Sequence, residues 1–323
     1  MSGHVKNRLM IGAVLDPQQL RLLQEVARSG SYSAAGRALG FTQPAITYQM
    51  KSLEKSVGTA LTVRTGRTMR LTPAGTALLS HAQPILAALR AAEKDLESLS
   101  ATGAGLVRLA AFPSSCATVV PAAMAAMRRT LPDVEVRLVQ AEPPHARTLV
   151  RRGDVDVALC YRFTAPKSSL LEAAGNAGLE QRELLVEEMH LILPMDHPSA
   201  SHRRISIDQL EDATFVIASA QFEDRLHRAA TSAGFKPKIL MMADDYVAMQ
   251  SLVASGFGVA LVPDLALRAH RDPRIVARTL VDWPKRHIAV ELWPDMLRVD
   301  AVSALVEHLV SAAADLPRVT RRP

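Results

Sequence analysis

The chain has 323 residues, 48% of them hydrophobic and 4% aromatic, with a net charge of +6. That length points to two or three domains, the composition excludes a disordered chain, and no apolar run approaches the about 18 residues of a bilayer-spanning helix. Two cysteines, Cys116 and Cys160, build no disulfide scaffold and suit a reducing cytoplasm. The charge is uneven: residues 1–80 hold ten basic and three acidic side chains, net +7, which leaves residues 81–323 at net −1. A basic patch confined to one quarter of the molecule is the footprint expected for binding a polyanion such as duplex DNA.

In chain order, MSGHVKNRLMIGAVL has a basic start and an apolar run but no small-residue cleavage site before DPQQ, and reads as an N-terminal extension. Asp16-Pro17 starts a first helix, with Leu20, Leu23 and Ala27 on its buried face, and Gly30 stops it. Ser33 is expected to cap a second, short helix carrying Ala34, Ala35, Ala38 and Leu39. Gly40-Phe41 turns the chain, and Thr42 caps a third helix with Gln43 and Pro44 in its first turn. Along that helix Ile46, Met50 and Leu53 recur at i, i+4 and i+7, so they share a buried face and leave Gln43, Thr47, Tyr48 and Lys51 elsewhere. This is a helix-turn-helix. Alternation of Thr68, Met69, Arg70 and Leu71 after Arg64-Thr65-Gly66-Arg67 adds a small β-hairpin, the wing of a winged helix.

Thr72-Pro73 opens a long helix to about Ser100. Leu78, Ala82, Ile85, Leu89, Ala92, Leu96 and Leu99 step along it by alternating fours and threes, a heptad seam expected to pair with a second copy of the chain. A helix of about 28 residues runs roughly 42 Å, too long for a 60-residue domain to cover.

Beyond Gly105 the texture is strand and helix in alternation, the rhythm of a parallel sheet with crossover helices. Leu106–Phe112, Val134–Val139 and Val155–Tyr161 read as strands, with helices at 117–130 and 145–152. After a polar stretch at 164–181 the pattern resumes with strands at Met189–Pro194, Phe215–Ser219, Ile239–Ala243, Val259–Pro263 and Ile288–Trp293, and helices at 222–233, 245–255 and 299–315. Two such lobes crossed twice by the chain would hold a ligand cleft beside the carboxyl ends of the strands. The sequence contains no GxSxG, HExxH, GxGxxG or P-loop, and its ten histidines lack metal-ligand spacing, so neither an enzyme nor a metal or cofactor site is expected. A solute-binding transport protein would share the bilobed fold but would have no use for residues 16–72.

The segment GSYSAAGRALGFTQPAITYQMKSLEKSVGTALTVRTGRTMRLTPAG, with the elements after it, resembles the LysR-type transcriptional regulators of bacteria over nearly the whole chain, from Leu15 to about Leu316. The resemblance implies an α/β fold: a winged helix-turn-helix at 15–72, a linker and dimerisation helix at 73–100, and at 106–316 a bilobed effector domain resembling periplasmic binding proteins. Lobe I would comprise about 106–165 plus 286–316, and lobe II about 185–280. It further implies a cytoplasmic, non-membrane regulator acting as a homodimer or homotetramer on operator DNA, with RNA polymerase as a promoter partner and a small effector bound between the lobes. Thr62 stands where the family usually has an aromatic residue, which predicts looser wing packing, and Tyr48 where it often has a basic one.

On the DNA side, Gln43 can offer a bidentate amide to adenine, and Thr47 and the Pro44 ring can touch a thymine methyl. Tyr48 and Lys51 suit phosphates; Ser33 and Thr42 complete the DNA-facing set, and the resemblance adds Arg64 and Arg67 at the wing. On the effector side, helix N-termini favour an anionic ligand. The Pro113–Cys116 junction, with Ser114 and Ser115, lies where related regulators contact their effector, and Ser219–Phe222 is its counterpart in lobe II. Gln140, Arg162, Asp244 and Tyr246 sit at other strand ends. Cys116 and Cys160 read either as a redox pair, with one thiol activated at a helix N-terminus, or as small buried hydrophobes.

Overall fold

A computed structural model describes residues 15–66, 68–99, 105–163 and 178–316. The N-terminal extension, Arg67 and most of the polar stretch after Phe163 lie outside the described residues. The chain divides into two compact units, Met1–Glu93 and Lys94–Pro323.

The first unit begins with helices α1 (Pro17–Ser29), α2 (Tyr32–Leu39) and α3 (Gln43–Val57). Asp16 and Thr42 cap α1 and α3 through their side-chain oxygens, as read from the sequence. The cap of α2 is Ser31, not Ser33: its Oγ accepts the Ala34 N–H at 3.4 Å from an extended backbone. Ser33 is already inside the helix, which releases its hydroxyl for another partner. Leu23, Val26, Ala35, Ile46, Met50, Leu53 and Leu61 form one core. Two glycines in this unit are required by close approach. A Cβ on Gly36 would meet the Phe41 carbonyl oxygen at 2.6 Å, and one on Gly75 would meet that of Leu61 at 2.0 Å.

Strands β1 (Thr62–Thr65) and β2 (Thr68–Leu71) pair antiparallel as the wing, with Thr62 opposite Leu71. Thr62 does not loosen it. The Glu54 carboxylate of α3 accepts the N–H groups of Leu61 and Thr62 at 2.9 and 3.0 Å and the Thr62 hydroxyl at 3.1 Å, and Tyr32 completes the network 2.7 Å from that hydroxyl. Hydrogen bonds have replaced the packing an aromatic side chain would supply.

Helix α4 (Pro73–Leu99) runs through Pro84, and its heptad seam is divided. Ala82 and Leu86 are buried with Leu20 of α1, flanked by partly buried Leu78 and Leu89. Ile85 and Leu96 of the same seam are 43% and 69% exposed, and Ala92 is exposed as well. The 3.6-residue period of the helix leaves Leu78, Ala82 and Leu89 on the side of α1 and Ile85, Ala92 and Leu96 off it. The Leu99 side chain lies outside the described residues.

The second unit holds β3 (Leu106–Ala111), α5 (Pro113–Cys116), α6 (Val119–Thr130), β4 (Glu135–Gln140), α7 (Pro143–Arg152), β5 (Val157–Phe163) and β6 (Glu180–Glu187). It continues with β7 (Met189–Pro194), β8 (Arg204–Ile205), β9 (Thr214–Ile217), α8 (Ala220–Ser232), β10 (Lys238–Met242), α9 (Tyr246–Ala254) and β11 (Val259–Pro263). It closes with α10 (Asp264–Ala269), β12 (Ile275–Leu280), β13 (Arg286–Leu292) and α11 (Asp300–Ala314). One sheet has the order β4-β3-β5-β13-β6 and the other β10-β9-β11-β7-β12-β8.

Both sheets are mixed, which corrects the parallel expectation. β3 pairs parallel with β4 and β5, whereas β13 is antiparallel to β5 and β6; β9 pairs parallel with β10 and β11, whereas β7 is antiparallel to β11 and β12. The antiparallel strands adjoin the two crossings, Glu187–Met189 outward and 281–285 back, where the chain enters a sheet from its neighbour without a crossover helix. At the base of the first sheet the buried Asp156 carboxylate accepts from the Arg108 backbone and guanidinium and from Lys94 Nζ at 2.7 Å.

Candidate functional site

The packing of α3 decides what it presents. Ile46, Met50 and Leu53 point into the core, while Gln43, Pro44, Tyr48 and Lys51 are exposed, Tyr48 at 73%. Thr47 is half-buried and its hydroxyl donates to the Gln43 carbonyl at 2.9 Å, so its outward face is the methyl group. Thr42 is exposed, its Oγ1 accepting the Ala45 N–H. Ser33 Oγ donates to Gln43 Oε1 at 2.7 Å, joining α2 to the first residue of α3. At the wing tip, Arg64 Nε donates to the Gly66 carbonyl at 3.2 Å and the guanidinium stays exposed; Arg67 lies outside the described residues. A helix with one polar, exposed side beside basic residues is the geometry that enters a major groove.

In the second unit a charge cluster sits where the chain crosses between sheets. Arg286, the first residue of β13, is 1% exposed. Its Nε donates to Glu187 Oε1 at 2.7 Å, Nη2 also pairs with Glu187, and Nη2 reaches Ser114 Oγ at 2.9 Å. Glu187 accepts the Leu265 N–H at 2.8 Å through its other oxygen. The guanidinium stacks 4.8 Å from the Phe112 centroid and 4.3 Å from that of Tyr161, and interacts with the phenol of Tyr246, the first residue of α9. Burial raises the Glu187 carboxyl, opposed by the charge of Arg286.

From this cluster an aromatic row runs from the first sheet to α8. Phe112, Tyr161, Phe163 and Phe222 meet edge to face at 5.0, 5.8 and 5.3 Å, and Arg225 lies over Phe163 at 4.1 Å. Tyr161 donates to Glu142 at 2.6 Å, and Glu142, raised chiefly by burial, also senses Asp244 across the gap. Burial likewise raises the phenols of Tyr161 and Tyr246. Ser219 Oγ, just ahead of α8, is screened from solvent and has no hydrogen-bond partner among the described residues.

Of the effector residues read from the sequence, Ser114, Phe222, Asp244 and Tyr246 interact with this cluster and its aromatic row, and Ser219 lies just ahead of the helix that carries Phe222. The structure does not gather the others. Ser115 is buried with its hydroxyl donated to the Phe112 carbonyl, and Gln140 is exposed at the end of the edge strand β4. Arg162 faces away because strand residues alternate: Tyr161 and Phe163 point inward, whereas Arg162 is exposed and 4.0 Å from Glu183. Sequence reasoning missed Arg286, Glu187, Glu142, Tyr161 and Phe163. The available signal was charge at the edges of apolar strands, Arg286 just before Ile288–Trp293 and Glu187 just before Met189–Pro194.

The thiols are not activated. Cys116 is the last residue of α5, not at its start; burial pushes it up to about 11, and Sγ lies 3.4 Å from the Ala111 carbonyl. Cys160 is in the middle of β5 rather than at its end, and burial raises it well above its ordinary value.

A winged helix-turn-helix with an exposed polar recognition face, joined to a two-sheet α/β unit built around a cleft, defines a ligand-responsive DNA-binding regulator. Residues 17–76 match the bacterial regulatory helix-turn-helix protein, lysR family, and residues 100–314 match the LysR substrate binding domain. The chain belongs to the LysR family of transcriptional regulators, which are not enzymes. It is similar to the transcriptional dual regulator GltC of Bacillus subtilis, 28% identical over 84% of this chain and 88% of the relative. The transcriptional regulator CbbR of Xanthobacter flavus is 30% identical over 93% of this chain and 85% of its own. Among solved structures, a full-length OxyR variant from Pseudomonas aeruginosa shares the fold at a TM-score of 0.64 and 20% identity, covering 96% of this chain and 99% of that one. Full-length CbnR complexed with its target DNA shares it at 0.52 and 22%, covering 92% and 100%. No helix among the described residues is long and apolar enough to cross a membrane.

Proposed function

We propose that α3 docks in a B-DNA major groove about 12 Å wide, with Gln43, Pro44 and Thr47 toward base edges and Ser33, Thr42, Tyr48 and Lys51 along its flanks and phosphates. Arg64 and Arg67 of the wing take the neighbouring backbone. The observation that carries this reading is the exposed row Gln43, Tyr48 and Lys51 opposite the buried row Ile46, Met50 and Leu53. The protein acts in the cytoplasm as a homodimer or higher assembly, paired through the later seam of α4, where Ile85, Ala92 and Leu96 are left exposed. Residues 15–72, 73–100 and 106–316 are its DNA-binding, linker and effector portions.

The effector binds between the two sheets of the second unit. Ser219 at the N-terminus of α8 offers donors to an acceptor or anionic end, while Glu142 and Asp244 suit a donor-bearing end of the same molecule. Ser114→Ala should blunt the transcriptional response to effector without changing DNA affinity in its absence; an unchanged dose-response would place the effector elsewhere.

DNA readout is tested by two substitutions measured over a salt series. Lys51→Ala should weaken binding to every sequence and reduce the salt slope by about one unit, whereas Gln43→Ala should cost about 1–3 kcal/mol on the operator alone. Equal losses on operator and random DNA for Gln43→Ala would remove it from base readout.

A further inference from the structure

The boundary between the two compact units falls inside α4, between Glu93 and Lys94, although Pro73–Leu99 is a single helix. Before that boundary α4 is held by the first unit: Ala82 and Leu86 are buried with Leu20, and Glu93 pairs with Arg21 of α1 at 3.3 Å. The next residue turns to other partners. Lys94 Nζ donates to the Leu106 carbonyl and, at 2.7 Å, to the Asp156 carboxylate, and the lysine and aspartate side chains are only 15% and 2% exposed. Leu106 is the first residue of β3, and Asp156 immediately precedes β5. Asp156 also binds β3 directly, its carboxylate accepting the Arg108 N–H at 2.8 Å and its own N–H donating to the Arg108 carbonyl at 2.9 Å. One ammonium therefore holds the starting ends of two neighbouring parallel strands.

Those strands lead to the charge cluster. β3 runs into Phe112 and Ser114, and β5 carries Tyr161 and Phe163. Phe112, Ser114 and Tyr161 contact Arg286, and Phe163 meets Phe222 of α8. The seven residues of β5 span about 20 Å, and a close-packed interior transmits strain over such a length rather than absorbing it. We infer that Lys94 is a positioning residue that couples the second unit to the DNA-binding unit, by fastening the end of α4 to the strands whose far ends form the Arg286 cluster. Arg108 neutralises the same carboxylate, but its side chain bonds Asp156 alone and holds no residue of α4. Lys94 acts this way only if α3 is the DNA-binding helix, as proposed above, and independently of where an effector sits.

Coupling between two sites is reciprocal, so it can be read without an effector. Full-length protein is unfolded in urea alone and with a saturating duplex site selected from a randomised pool, while Trp283 and Trp293 report the second unit. In the wild type the bound site should raise the midpoint of the second unit, by the equivalent of about fivefold or more in its unfolding equilibrium, the low end of typical couplings. Lys94→Met should abolish this DNA-dependent shift while still binding the selected site. Lys94→Arg, which keeps a cation beside Asp156, should retain it. Arg108→Met should lower the stability of the second unit without DNA and yet keep the shift, which separates positioning from stability.

A shift that persists in Lys94→Met, or a wild type with no shift, would overturn the inference. So would loss of the shift in Arg108→Met as well as in Lys94→Met, because the ion pair would then act through stability alone. If Lys94→Met has no folded baseline, Lys94→Gln takes its place with the same expected loss. Failure of the wild type to select any duplex site would remove the DNA-binding reading of α3 and this inference with it, an outcome told apart from the others by the absence of binding itself.

Discussion

Arg286→Met removes the guanidinium while keeping much of the side-chain volume. Glu187 is then left 4% exposed with no cation beside it, and Ser114 Oγ loses its donor. Breaking one partner out of a buried ion pair costs about 3–5 kcal/mol, because the remaining charge must either stay buried or take up a proton. Lost stacking on Phe112 and Tyr161 adds to this. A double variant, Arg286→Met with Glu187→Leu, removes both charges and should return to within about 1–2 kcal/mol of the wild type.

The assay is urea unfolding at fixed protein concentration, followed by tryptophan fluorescence; the two tryptophans, Trp283 and Trp293, both lie in the second unit and report it alone. The sign with pH follows from Glu187, whose carboxyl is already raised from its ordinary 4.5 by burial and rises further without Arg286. A folded-state value above the unfolded one means that relative stability is fully present below the unfolded value and is lost as pH rises through the folded one. The deficit of Arg286→Met should therefore be smallest near pH 4.5 and grow toward neutrality. A loss under about 1 kcal/mol, or one independent of pH, would refute the view that this pair holds the crossing strands together.

Asp156→Asn should destabilise the second unit by about 3 kcal/mol at pH 7. Burial pushes that carboxyl up, but Arg108 and Lys94 outweigh it and hold it below its ordinary 3.8, so the wild-type advantage should persist down to about that pH and shrink below it in urea titrations. Gly75→Ala should unfold the wing or lower DNA affinity sharply, since its Cβ would lie 2.0 Å from the Leu61 carbonyl oxygen; a variant with unchanged melting and binding would show that α4 and the wing are not packed this closely. Cys116 and Cys160, both held protonated by burial, should stay unlinked under mild peroxide, as read by mass spectrometry after alkylation; a disulfide between them would contradict the observed burial.

Periodicity made the first unit legible because each helix there buries one face and its ends carry Asp, Ser, Thr or Gly with local consequences. The single capping error, Ser33 for Ser31, arose because SYS offers two hydroxyls two residues apart and only backbone geometry separates them. Apolar β-branched runs located the buried strands, but β6, which reads EQRELLVE on the rim of its sheet, and β12, which carries Arg278 within it, lack that pattern. The cleft was half legible. Residues at strand ends, Ser114 and Tyr246, were found from topology, whereas the pairing of Arg286 with Glu187 joins residues 99 apart in sequence through antiparallel register, which local pattern does not encode.

The most direct test of a paired, groove-reading recognition helix is a hydroxyl-radical footprint of the full-length protein on its selected duplex site. The expected result is two protected half-sites whose centres lie about 10 base pairs, or a multiple of that, apart on one face of the duplex, lost together when the exposed seam residue Leu96 is replaced by Glu. Protection of a single half-site by a monomer, or no protection beyond that on random DNA, would contradict it.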